Sequence, residues 1–131
     1  MPYLYVRISR PESPVIADRI VSVLMQHTTG MLGKSSDVIS IAVDFVPPEL
    51  WFVGGSRVSV QHAVTFYLDI KVTAGTNTKI EKARYIQAVF SDFEAILGPI
   101  TPASYIVIDD VPADSWGFQG ATQERRFIQA Q

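Results

Sequence analysis

The sequence predicts an α+β fold: a duplicated β-α-β unit forming a four-stranded mixed sheet with two helices on one face. Two matches carry the duplication. "YLYVRIS" at Tyr3 to Ser9 repeats in character as "YLDIKVT" at Tyr67 to Thr73, an offset of 64. "VDFVPPELW" at Val43 to Trp51 repeats as "IDDVPADSW" at Ile108 to Trp116, an offset of 65. Nearly equal spacings mark two copies of one unit, about residues 2–57 and 63–127. The third observation is that apolar residues between the strands of each copy recur at helical spacing. A chain of 131 residues holds one domain, residues 1–131, and buries roughly two-thirds of its unfolded surface.

Each element follows from its pattern. Leu4, Val6 and Ile8 alternate with Tyr5, Arg7 and Ser9, the period of a strand. Ser13 can cap a helix with Pro14 at its first position, where a missing N–H is harmless. Ile16, Ile20, Val23, Leu24 and Met31 continue it to Gly30 and Gly33. Ile39 to Phe45 is the next strand, followed by the turn "WFVGGS". In the second copy Val64 to Thr73 reads as a strand, and "TKIE" at Thr78 is a capping box that opens a helix from about Lys79 to Leu97. Ile80, Ala83, Ile86, Phe90, Phe93 and Leu97 form its apolar stripe, Gly98-Pro99 stops it, and Tyr105 to Asp110 is the last long strand. A helix between two strands makes each pair parallel. Both strand faces read as apolar, so the face without helices is expected to be covered by further copies of the chain.

Composition narrows the function classes. With 47% apolar and 18% charged residues and a mean hydropathy of +0.18, the chain suggests surface buried between subunits. A net charge of −2 with scattered Lys and Arg offers no stripe to neutralise phosphates, which argues against nucleic acid. Apolar runs stop well short of the ~20 residues of a membrane span and no basic leader precedes one, so neither a membrane partner nor secretion is expected and the cytoplasm is the default. With no cysteine there is no disulfide and no thiolate nucleophile.

Other signals are weak. "GMLGKSS" lacks the glycine a phosphate loop needs at Thr28. His27 and His62 have no second ligand at metal spacing, so no metal and no cofactor is expected. Asp109 and Asp110 are strand neighbours and point to opposite faces. Trp51 and Trp116 read as core residues or, given the glycine turn after each, as site walls.

A proline after the initiator methionine, the duplicated unit, and a glycine turn after each second strand together resemble the tautomerase superfamily. "GKSSDVISIAV" followed by "ELWFVGGS" is similar to the central segment of its macrophage migration inhibitory factor type, which fuses both units in one chain. The resemblance implies a homotrimer with an apolar central barrel, no cofactor, and sites near subunit boundaries. It implies that removal of Met1 frees the Pro2 nitrogen as the base. An ordinary α-amino group titrates near ~8, and an apolar pocket beside a cation lowers that; about one unit, or ~1.4 kcal/mol, leaves it mostly neutral at pH 7. Carried over by position, Lys34 becomes a substrate-side lysine, Ile70 lines the pocket, Tyr105 is a pocket tyrosine, and Trp116 is an aromatic wall. Arg10 stands near a carboxylate-binding arginine of the small tautomerases; it reads equally well as a solvated loop residue.

The departures weigh on the substrate. Where the small tautomerases carry a second arginine this chain has Ser40 and Tyr105, and "VTAGTNT" lacks the arginine pair of the decarboxylase branch. Val107 replaces an asparagine of the inhibitory factor pattern. The function implied is an isomerase that interconverts keto and enol forms of a small carbonyl acid or aryl enolpyruvate with Pro2 as general base. The alternatives are a decarboxylase or hydratase of the same superfamily acting on a 3-oxo or unsaturated acid, and a non-catalytic trimeric binding or structural protein. A retained Met1 favours the last, since it turns the Pro2 nitrogen into an amide.

Overall fold

A computed structural model describes residues 2–130; Met1, on whose removal the Pro2 reading depends, lies outside them. Strand β1 (Tyr3–Ile8) leads through helix α1 (Pro14–Gly30) to β2 (Ser40–Phe45), then to a hairpin of β3 (Phe52–Val53) and β4 (Ser56–Arg57). The second unit repeats this with β5 (Phe66–Thr73), α2 (Lys79–Leu97), β6 (Tyr105–Val111), and a hairpin of β7 (Gly117–Phe118) and β8 (Ala121–Thr122). A short helix, α3 (Gln123–Gln129), follows the second hairpin. The strand order is β2-β1-β5-β6, parallel within each unit and antiparallel between β1 and β5.

The ends of the helices behave as their residues dictate. The Ser13 hydroxyl accepts from Ile16 N at 3.3 Å, and Thr78 and Glu81 close a reciprocal capping box. The hairpin turns Gly54-Gly55 and Gln119-Gly120 all take positive φ, which suits a right-twisted two-residue connection.

Pseudo-twofold symmetry relates the units. Tyr5 faces Asp69 across β1 and β5, and these are equivalents at the 64-residue offset. In the helix layer His27 Nε2 meets Asp92 Oδ2 at 2.5 Å, equivalents at 65. The axis therefore runs between these two pairs.

Leu4, Val6, Ile8, Phe66, Leu68, Ile70 and Val72 point to the helices and are wholly buried against Ile20, Leu24, Tyr85, Val89 and Phe93. Two sequence expectations change here. On α2 the buried line is Tyr85, Val89, Phe93 and Leu97, while Ile80 is 62% exposed. Tyr85 enters the core because its hydroxyl is paired with Thr28 Oγ1 at 2.9 Å. The face without helices is not broadly apolar either. Tyr105 and Val107 are exposed on it, but Tyr5 donates to Asp44 at 2.8 Å, Lys71 pairs with Asp109 at 2.9 Å and Arg7 lies 3.7 Å from Asp69. Asp110, on the other face, pairs with Lys82.

The Tyr85–Thr28 pair makes the core sensitive to alkali. Burial pushes the Tyr85 pKa up to about 12, against the lowering effect of the Thr28 hydrogen bond. An unfolded tyrosine ionises near ~10, so up to that pH both states are protonated; above it the unfolded chain releases the proton first and stability falls until about 12. The expected loss is about 2–3 kcal/mol across that window. In Tyr85→Phe this limb is expected to vanish, at a cost of about 1 kcal/mol at pH 7 from the unpaired Thr28 hydroxyl. Urea titrations at pH 7 and 11 on both proteins check this. Among the described residues no helix is long and apolar enough to cross a membrane.

Candidate active site

Pro2 is buried, and its carbonyl accepts from Ser40 N at 3.3 Å, which ties the start of β1 to β2. Because Tyr3 is opposite Lys71 in the antiparallel register, Pro2 lies at the end of the sheet where β5 runs out at Thr73. Lys34 arrives at the same end. It follows Gly33, whose φ of +67° lets the chain reverse after α1. Asn77 Nδ2 donates to Leu32 O at 2.9 Å, so the loop before α2 holds the Lys34 loop in place.

Lys34 Nζ donates to Thr76 Oγ1 at 2.8 Å, and that hydroxyl donates in turn to Thr73 O at 2.6 Å. Desolvation holds the Lys34 pKa below its ordinary 10.5, opposed by Glu81 and Asp110. Its ammonium is therefore a poorly hydrated cation, suited to meeting an anion.

Lys34 and the 73–76 turn form one wall of a cavity of about 540 Å³. The facing wall comes from α3, with Gln123, Arg126 and Phe127. Arg126 Nη1 donates to Gln123 Oε1 at 3.2 Å, and its guanidinium lies 4.1 Å from the centre of the Phe118 ring. Gln123 Nε2 is buried with no partner among the described residues, a donor whose cost is met only by an acceptor from outside the chain. Two cations, the Glu124 carboxylate and a free donor thus line one space, a net positive site. α3, Gln123 and Arg126 are absent from the sequence expectations; the signal was Thr122, whose hydroxyl caps the helix by accepting from Arg125 N at 3.0 Å.

The remaining expected residues separate. Trp116 is half-buried and touches this site through its backbone, its carbonyl accepting from Gln123 N at 2.8 Å and so seating α3. Ile70 does not line a pocket: its alternation with Leu68 and Val72 turns it to the helices, and it is wholly buried in the core. Tyr105 pairs with Tyr67 at the start of β5, roughly 20 Å from Thr73 at strand rise. It is 55% exposed on the helix-free face. Arg10 follows β1 and lies at that same distant end, so within one chain it cannot serve a site at Pro2.

No family model and no curated relative matches the chain. Solved structures do. A fused 4-OT wild-type symmetric trimer superposes with a TM-score of 0.81 at 20% identity, covering 93% of this chain and 96% of that one. Pt0534 inactivated by 2-oxo-3-pentynoate gives 0.83 at 11% identity, over 95% and 98%. The macrophage migration inhibitory factor homologue from Prochlorococcus marinus gives 0.74 at 22% identity, over 92% and 97%. The chain has the tautomerase-superfamily fold.

Proposed function

We propose that the protein is a trimeric keto–enol tautomerase of small carbonyl acids, with the Pro2 nitrogen as its base once Met1 is removed. The observation that carries this reading is that buried Pro2 lies at the same end of the sheet as the desolvated Lys34 and the cavity with Arg126, though it is not itself part of the cavity's lining. The neutral amine takes the proton from the carbon beside the carbonyl; the C–H pair becomes the C=C bond and the carbonyl oxygen becomes an enolate held by the Lys34 ammonium. The proline ammonium returns the proton, to oxygen for the enol or to carbon for the reverse reaction. Arg126 takes the substrate carboxylate with its guanidinium fork, which supplies the grip that the missing strand arginines do not.

The separation of Tyr105 from Pro2 fits a site shared between copies, in which a neighbouring copy's Tyr105 closes the cavity. Fused 4-OT, similar in fold, is a trimer, and Pt0534 is inactivated by an oxo acid. Ketonisation of phenylenolpyruvate tests the reading. Protein shown by intact mass to lack Met1 is expected to accelerate it well above buffer; no acceleration in that protein overturns the proposal.

Lys34 adds a pH signature. A lysine with a lowered pKa loses its charge earlier than an ordinary one, so kcat/KM is expected to fall as pH climbs through a midpoint below 10.5, with kcat falling alongside it. Lys34→Arg stays charged and is expected to remove that alkaline limb, while Lys34→Gln lowers kcat/KM by about 10–100-fold at pH 7. A limb unchanged in Lys34→Arg assigns it to another group.

A further inference from the structure

A second cavity, of about 350 Å³, lies at the opposite end of the sheet, beyond the end of β1. Its walls are the repeat mates of the first cavity's. Arg10 corresponds to Ala74 at the 64-residue offset, and Val58 to Gln123 and His62 to Phe127 at 65. The fold has kept two equivalent recesses and given them different chemistry. The equivalents of Lys34 and Arg126 are Pro99 and Gln61, and neither lines the second recess; its guanidinium is Arg10, where the first has alanine, with His62 the other basic side chain in its wall. At the position of Pro2 stands Phe66, wholly buried and in mid-chain, so no amine is available there.

Among the described residues, two buried side-chain donors have no partner: Gln123 Nε2 and Arg10 Nε. One lies on a residue of each cavity. Arg10 has no ion pair among the described residues and no carboxylate lines its recess. A buried guanidinium N–H left unpaired is costly, and its planar fork matches an oxyanion. The rest of the lining is largely apolar, with Pro11, Val64 and Leu97, which suits a hydrocarbon body and not a fully hydrated ion.

We infer that this recess is a second ligand site, which binds a small carboxylic acid through Arg10 and, lacking an amine, does not turn it over. The inference does not require Pro2 to be a base. Phenylacetate is the probe, followed by amide shifts in a TROSY titration of the intact protein. Shifts are expected at Ser9, Ser59 and Ala63 as well as around Thr73 to Thr76. In Arg10→Gln the first set is expected to weaken by about tenfold or more with the second intact, and in Lys34→Gln the reverse. Arg10→Lys, which keeps the charge without the fork, falls between, and its thermal melt together with that of Arg10→Gln shows whether the fold is intact. Neutral 2-phenylethanol and inorganic phosphate are both expected to leave the first set in place. No shift at that set in the wild type, equal affinity in Arg10→Gln, or equal shifts from either control overturns the assignment. A protein without tautomerase activity that still shows the Arg10-dependent set separates this site from the proposed function.

Discussion

Replacing Pro2 with alanine is expected to lower kcat/KM for phenylenolpyruvate by about 100-fold, the lower end of what a positioned general base contributes. The loss stops there because alanine keeps an amine. What it gives up is the ring, which fixes the direction of the lone pair. Acylating the nitrogen, as a retained Met1 does, is expected to remove the remainder, since an amide has no basic pair. The burial of Pro2 and its bond to Ser40 N make the test specific. Alanine leaves the carbonyl partner in place, so strand pairing is preserved and kcat moves more than KM. Equal rates in Pro2→Ala would show that another group takes the proton.

The same site shows what a sequence can and cannot convey. The strand pair and the Val-Pro-x-acid-x-Trp segments made the duplication legible, because each strand and turn is a local pattern. The direction of Ile70 was legible too, from its alternation with Leu68 and Val72, but positional likeness pointed the other way. The face of α2 misled because a tyrosine counts as half polar until its partner is known, and Thr28 lies 57 residues away. Resemblance places Arg10 and Tyr105 at Pro2. Their distance from it follows from the antiparallel pairing of β1 with β5, which no local pattern encodes. Arg126 and Gln123 are hard to read from the sequence for a similar reason: a short polar helix has no apolar stripe, and its value comes from the wall it faces.

Truncating Phe93 to alanine is expected to cost about 3–5 kcal/mol. Phe93 is wholly buried on α2, and its ring meets the edge of Phe66 at 4.9 Å between centroids, an arrangement worth about 0.5–1.5 kcal/mol beyond the buried area. Phe66 occupies in the second unit the place that Pro2 occupies in the first. At one end of the sheet that place holds a buried proline tied to β2 through its carbonyl; at the other it supplies an aromatic ring to the core, and α2 is held down by it. Phe93→Ala therefore leaves Phe66 beside a void that the β1–β5 pair is too rigid to close. Urea titration at fixed protein concentration, which keeps any assembly contribution constant, measures the loss. A cost below about 1.5 kcal/mol would mean that the end of the sheet relaxes into the space. The asymmetry between the two units would then not lie in how tightly each end is packed.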